Sequence, residues 1–208
     1  MDMSRSRSAF PTFNCQTTNQ REQLNLLTSF LDGSQIYGFD KASNDLVRLF
    51  QGGLLKFSQG VSPQRPYLPL STTDNTCGDA SGTLQCFKGG EERTNENMGL
   101  LGLQTLFMRE HNRIATELSR INPKWSDQIL FDETRRIIIG IYQHIIYSQY
   151  LPTIIGQTLS SQAGLIPSPP FSQPTNTYDP AVDPSIGFTH CLNVFFAIYI
   201  NNEFELIL

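Results

Sequence analysis

Gly89-Gly90-Glu91-Glu92-Arg93-Thr94-Asn95-Glu96-Asn97 is followed at once by a long amphipathic run that carries Arg109-Glu110-His111-Asn112-Arg113. A glycine-bearing loop turning into a helix, with an arginine and a carboxylate three positions apart, can aim a fixed cation and a carboxylate into one pocket. The bland alternative is a helix N-terminus whose carboxylate is favoured by the macrodipole, beside an exposed arginine. Charged residues are common in first helical turns, so spacing alone favours the bland alternative.

Around this stretch the chain reads as mainly helical. Leu100, Leu103, Phe107, Ile114, Leu118 and Ile121 form an apolar stripe at helical spacing, which Asn122-Pro123 should stop. A second long helix is expected over about Asp132 to Leu151, with Ile137, Ile138, Ile141, Ile145 and Tyr150 as core candidates and Pro152 at its end. Upstream, Asn19-Gln20-Arg21-Glu22 has the form of a capping box for a helix carrying Leu24, Leu27 and Leu31, failing near Gly33. A short helix fits Lys41 to Phe50, started by Asp40 or Ser43 and followed by Gly52-Gly53. Residues 54 to 75 read as loop with room for one hairpin, and 160 to 185 as a proline-bearing surface connection. Val194 to Leu208 alternates in a strand-like way.

The chain has 208 residues, enough for one domain with a core. Hydrophobic residues make up 39% and charged ones 16%, and the net charge of -4 leaves no basic stripe for nucleic acid. No apolar run reaches the roughly eighteen residues that a membrane span needs. The first residues are polar and lack the apolar segment of a signal peptide. Four cysteines, Cys15, Cys77, Cys86 and Cys191, show no tight metal-site spacing. Cys77 and Cys86 bracket a Gly/Asp/Ser-rich loop short enough for a disulfide to close, and the spacing permits either a bridge or two free thiols.

Leu106-Phe107-Met108-Arg109-Glu110-His111-Asn112-Arg113-Ile114-Ala115, together with the run ending Arg93-Thr94-Asn95-Glu96, resembles the animal haem peroxidase family, the myeloperoxidase and peroxidasin group. That family shows G-D-x-R-x-x-E followed by a helix with L-x-x-x-R-E-H-N-R-[LI]-A. Its usual aspartate in G-D-x-R is read here as Glu92. The resemblance implies a central fragment of the family's helical fold, with long irregular loops. The expected divisions are an irregular lead-in over 1–18, a partial haem peroxidase domain over 19–186 and a divergent C-terminal tail over 187–208.

It also implies a site. Arg93 would stand on the distal side of the haem, where a guanidinium that cannot lose its proton suits the stabilisation of charge as peroxide splits. Glu96 would esterify a haem methyl group, anchoring and distorting the cofactor. Asn97 follows, so a sulfonium bond is not available at that position. Oxygens of Thr28, Asp32 and Ser34, with the main-chain carbonyl of Phe30, fall at alternate positions of a loop. All-oxygen ligation suits calcium, although polar loops of this kind are far more often plain turns. The run T-S-F-x-D-x-S-x-[VI]-Y-G, here Thr28 to Gly38, is similar to the family's calcium loop. The cofactors implied are thus haem b and calcium, and the resemblance favours the Cys77–Cys86 bridge.

The partners implied are hydrogen peroxide and a small reducing substrate, a halide or a phenol, with no nucleic acid and no membrane span. Secretion and a part in the response to oxidative stress follow by the same resemblance. His111 is expected to be a satisfied structural histidine and His144 a packed helix residue, neither of them an iron ligand. Tyr178-Asp179-Pro180-Ala181-Val182-Asp183-Pro184-Ser185-Ile186 matches a family run that precedes the proximal histidine, but His190 has neither the motif nor the spacing. The distal Q-x-x-D-H segment, with a further calcium ligand, is not found either. The expectation is a truncated haem peroxidase. The alternative is a non-catalytic, peroxidase-like extracellular or structural protein.

Overall fold

The computed structural model describes residues 27–63, 65–71, 86–166 and 181. The chain divides into two compact units, one of residues 1–30 with 174–208 and the other of Leu31–Gln173. All the described helices lie in the second. They are α1 (Ser34–Tyr37), α2 (Lys41–Val47), a 3-10 turn over Glu92–Asn95, α3 (Met98–Ile121), α4 (Asp127–Ile145), a π turn over Ile146–Tyr150, α5 (Leu151–Ile155) and α6 (Gln157–Gln162). Among the described residues β structure is limited to isolated antiparallel bridges, Arg48 with Leu55, Ser58 with Tyr67 and Leu70 with Phe87. The mainly helical class expected from the sequence is observed.

Each longer helix begins where a side chain can satisfy a free backbone N–H. Asn97 accepts from the Leu100 N–H at 2.9 Å to start α3. Ser126 accepts from the Ile129 N–H at 3.4 Å to start α4. Asp40 and Ser43 form a reciprocal capping box on α2. Asn122 ends α3 as expected. α4 starts at Asp127, earlier than the expected Asp132, since Ser126 followed by an acidic residue is itself a start signal.

Pro152 does not end the helical path. The π turn before it shifts the ladder, so the residue without an N–H falls in the first turn of α5, where no donor is needed. Leu27 and Leu31 do not sit on a helix. The Asp32 carboxylate takes the Ser34 N–H at 2.9 Å, and Gly33 adopts a left-handed φ of 70° immediately before α1. That local turn competes with the helical pattern and wins. The capping box at Asn19–Glu22, residue Leu24 and the strand-like stretch 194–208 lie outside the described residues.

α3 packs on α4 and on α1. The core contains Ile36, Tyr37, Val47, Leu55, Leu68, Met108, Ile114, Phe131 and Ile138. The buried face of α3 is Gln104, Thr105, Met108, His111, Ile114 and Ala115, rotated from the expected stripe. Leu103 and Ile121 are exposed, while Leu100, Phe107 and Leu118 are half-buried. A stripe drawn through apolar residues alone cannot include buried Gln104 and His111. On α4, Ile138 is fully buried, Ile137 is exposed, and Ile141 and Ile145 are half-buried, as is Tyr150 at the end of the π turn. Leu130, Phe131 and Thr134 complete that buried face. Among the described residues no helix is long and apolar enough to cross a membrane.

Candidate functional site

The Gly89–Asn97 stretch folds as a close-packed loop, one 3-10 turn and the cap of α3. A Cβ on Gly89 would collide with the side chains of Thr94 and Gln104, and one on Gly90 with the backbone of Gln35 and Ile36. The glycines are therefore required by close approach. Thr94 is almost fully buried, and its hydroxyl donates to the Glu91 carbonyl at 2.7 Å and reaches Gln104 Oε1 at 3.0 Å. Asn95 clamps Phe87, accepting its N–H at 2.9 Å and donating to its carbonyl at 2.7 Å. Four short bonds hold this turn rigid.

On that turn Arg93 faces outward and Glu91 inward. The Glu91 side chain is 7% exposed and that of Arg93 52%. Glu91 Oε2 accepts from Arg93 Nε at 2.7 Å and lies 2.6 Å from Arg93 Nη2. Burial pushes the Glu91 carboxyl above its ordinary value, the Arg93 cation opposes this, and the nearby charge of Glu96 adds to it. The correspondence of Glu92 with the family's aspartate is corrected here. In G-D-x-R the acid stands two positions before the arginine, which is Glu91, and Glu92 is exposed.

Glu96 follows the 3-10 turn, half-buried, and its Oε2 is buried with no hydrogen-bond partner among the described residues. An orphaned buried carboxylate oxygen is costly, and such atoms call for an explanation. It fits a carboxylate whose partner is a bound group rather than the protein. Tyr142 on α4 lies near the same cluster. Burial raises its phenol, its hydrogen bond to Gln35 opposes this, and the charges of Asp32 and Glu91 contribute.

The helix motif is a set of braces. Arg109 Nε donates to the Pro66 carbonyl at 2.7 Å. Asn112 clamps Leu55, accepting its N–H at 2.8 Å and donating to its carbonyl at 3.0 Å. His111 is fully buried, with Nε2 2.8 Å from the Gly53 carbonyl and Nδ1 2.8 Å from the Tyr37 hydroxyl. A carbonyl only accepts, so Nε2 carries the proton and Nδ1 accepts from Tyr37. Burial lowers the imidazole from 6.5 to about 4 against the pull of the Gly53 bond, and the Arg48 charge adds to the lowering. His111 is a satisfied structural histidine, as the sequence suggested. His144 is not packed: it is exposed, with Ser148 Oγ at 3.1 Å.

Arg48 is a residue that pattern reading missed. It is buried between the Phe50 and Phe131 rings, 4.6 and 4.1 Å from their centroids, and its guanidinium donates to Gln128 and Asp127 at 2.8 Å each. Asp127 also accepts the Gly53 N–H at 2.7 Å. Gly53 has a left-handed φ of 71° and abuts the Leu130–Phe131 backbone, so the Gly52-Gly53 signal marks a docking point between this turn and α4.

In the expected calcium loop the Thr28 hydroxyl donates to the Phe30 carbonyl at 3.4 Å. The Ser34 N–H donates to the Asp32 carboxylate at 2.9 Å, with Ser34 buried. No group of three or more His, Cys, Asp or Glu able to hold a metal occurs among the described residues. Cys86 is buried and disulfide-bonded, and Cys77 lies outside the described residues.

Comparison with known proteins places this geometry. Chorion peroxidase of Aedes aegypti is 42% identical over 168 residues, which is 78% of this chain and 20% of that protein. Lactoperoxidase of Mesocricetus auratus is 37% identical over 168 residues, 78% of this chain and 23% of that protein. Among solved structures, peroxidase A from Dictyostelium discoideum superposes with a TM-score of 0.53 at 34% identity, covering 64% of this chain and 26% of that one. The chain thus spans about a fifth to a quarter of the length of these relatives. The animal haem peroxidase family description matches residues 1–207, and the chain belongs to that family.

Proposed function

We propose that this chain contributes part of the haem pocket of a hydrogen-peroxide-dependent oxidoreductase. The observation that carries this reading is the buried Oε2 of Glu96, without a partner among the described residues and three positions after an arginine held by a buried acid. Haem, when bound, supplies the redox centre at which peroxide is reduced and a halide or phenolic donor is oxidised. The chain's own residues do the rest. Glu96 would hold the cofactor through an ester, for which its Oε2 has no competing partner among the described residues. Arg93 offers guanidinium donors to negative charge developing on a leaving oxygen. His111 braces α3 and is not a ligand, since both its nitrogens are engaged inside the core.

Calcium binding by Thr28, Phe30, Asp32 and Ser34 belongs to the same reading, on the strength of the loop's likeness to the family pattern. So do a Cys77–Cys86 bridge and an extracellular site of action. The disulfide at Cys86 supports the latter, because such bonds persist in oxidising compartments.

The test is reconstitution of the 208-residue chain with haem. A Soret band that shifts from that of free haem and titrates to one cofactor per chain is expected. No Soret change at all would remove this reading and leave the non-catalytic, peroxidase-like extracellular or structural alternative.

A further inference from the structure

Glu91 is the least explained carboxylate of the cluster. It is buried, although nothing in burial itself rewards a charged side chain there. Among the described residues its one ion pair is with Arg93, a residue whose own side chain is half in water. An arginine on an exposed turn would sample many rotamers, at a cost in side-chain entropy when one direction is fixed. Here the Nε and Nη2 edge of the guanidinium converges on one oxygen, Glu91 Oε2, at 2.7 and 2.6 Å. The anchor end is the rigid one. The Glu91 carbonyl takes the buried Thr94 hydroxyl, Gly90 is pressed on the backbone of Ile36, and Asn95 is clamped to Phe87.

We propose that Glu91 is the positioning residue for Arg93: its buried carboxylate fixes the direction of the guanidinium and leaves the Nη1 edge free to meet a small oxyanion or peroxide. This deepens the haem-pocket reading and rests on it for what that free edge meets. The family pattern has an aspartate at this position, and the glutamate here carries the guanidinium on an arm one methylene longer. Burying the carboxylate while exposing the cation makes physical sense for an anchor. The acid is shielded from competing water and salt, and the arginine keeps a solvent-facing donor edge.

The test needs no cofactor. The chain is labelled uniformly with nitrogen-15, and hydrogen exchange at the Arg93 Nε–H is followed beside the backbone amides of His111 and Ala115. A charge-assisted bond of this kind is expected to slow the exchange about tenfold or more. Glu91→Gln should remove that protection with the two amides unchanged, and Glu91→Asp, which keeps the acid, should retain much of it. In the unaltered chain protection should fall as acid protonates Glu91. The charged and titratable groups facing it are Arg93 and Glu96 from its own segment and Tyr142 from α4. Glu96→Gln should leave the acid step in place, while Glu91→Gln abolishes it. Unaltered exchange in Glu91→Gln, or loss in Glu91→Asp equal to that in Glu91→Gln, overturns the proposal. Either result is independent of the Soret measurement, so a failure of the positioning role and a failure of haem binding are separable.

Discussion

His111 sits in the core with a hydrogen bond at each ring nitrogen, and that arrangement has a cost in acid. Its folded value of about 4 lies below the ordinary 6.5. Above pH 6.5 the ring is neutral whether the chain is folded or not, and its contribution to stability is complete. As pH falls from 6.5 toward 4 the unfolded chain takes up a proton that the folded one refuses, so stability drains away. The full loss is on the order of 3 kcal/mol, and it ends once both states are protonated. Asp40 and Glu110, whose carboxyls are held low by Ser43 and Arg113 respectively, stay ionised in the upper part of that window. The urea midpoint should therefore fall between pH 6.5 and 5, and a flat or rising midpoint would contradict the buried neutral imidazole. At this scale the sequence is legible unevenly. The structural part of His111 could be seen in advance, and the family pattern pointed to Arg93 and Glu96 as the residues to test. The counting of G-D-x-R onto Glu92 hid Glu91, and Arg48 gives no periodic signal because its partners lie far along the chain.

The short helix α1 and the turn before it carry the element-scale prediction. Asp32 accepts the Ser34 N–H and Gly33 turns left-handed, so the loop has a defined local form before any metal is considered. If its oxygens bind calcium, the ion stabilises the folded state by mass action, about 2.7 kcal/mol at a hundredfold excess over the dissociation constant. Calcium should raise the melting temperature, chelation should reverse the rise, and Asp32→Ala should abolish it. An unaltered melting temperature in all three conditions would remove calcium from the account. The same segment shows why a helix over Leu27–Leu31 was expected: the leucine spacing is real, but spacing cannot weigh an aspartate that captures a backbone N–H two residues on. α3 was legible in its end at Asn122, while the cap that Asn97 supplies at its start was not read. Its inward face was not, because Gln104, Thr105 and His111 are polar and their burial depends on partners in distant loops. The π turn before Pro152 was equally hidden, since a proline reads as a stop until the ladder is seen to shift around it.

Across the whole molecule, helix periodicity and capping signals were enough for the mainly helical class, and three motif runs in order were enough for the family. What joins them is the bracing of loops by α3: Arg109 holds Pro66, His111 holds Gly53 and Tyr37, and Asn112 holds Leu55. Only the cap residue Asn97 separates Glu96 from this helix, so the braces that fix α3 also fix the acid before its start. The central claim is that this acid faces a haem, and ester formation tests it most directly. The bond joins Glu96 to a cofactor methyl carbon, and peroxide takes up the two electrons and leaves as water. The chain is incubated with haem and hydrogen peroxide, digested, and its peptides weighed. The account predicts a haem-bearing peptide that contains Glu96, lost in Glu96→Gln. Haem on no peptide, or the same modification persisting in Glu96→Gln, would contradict it.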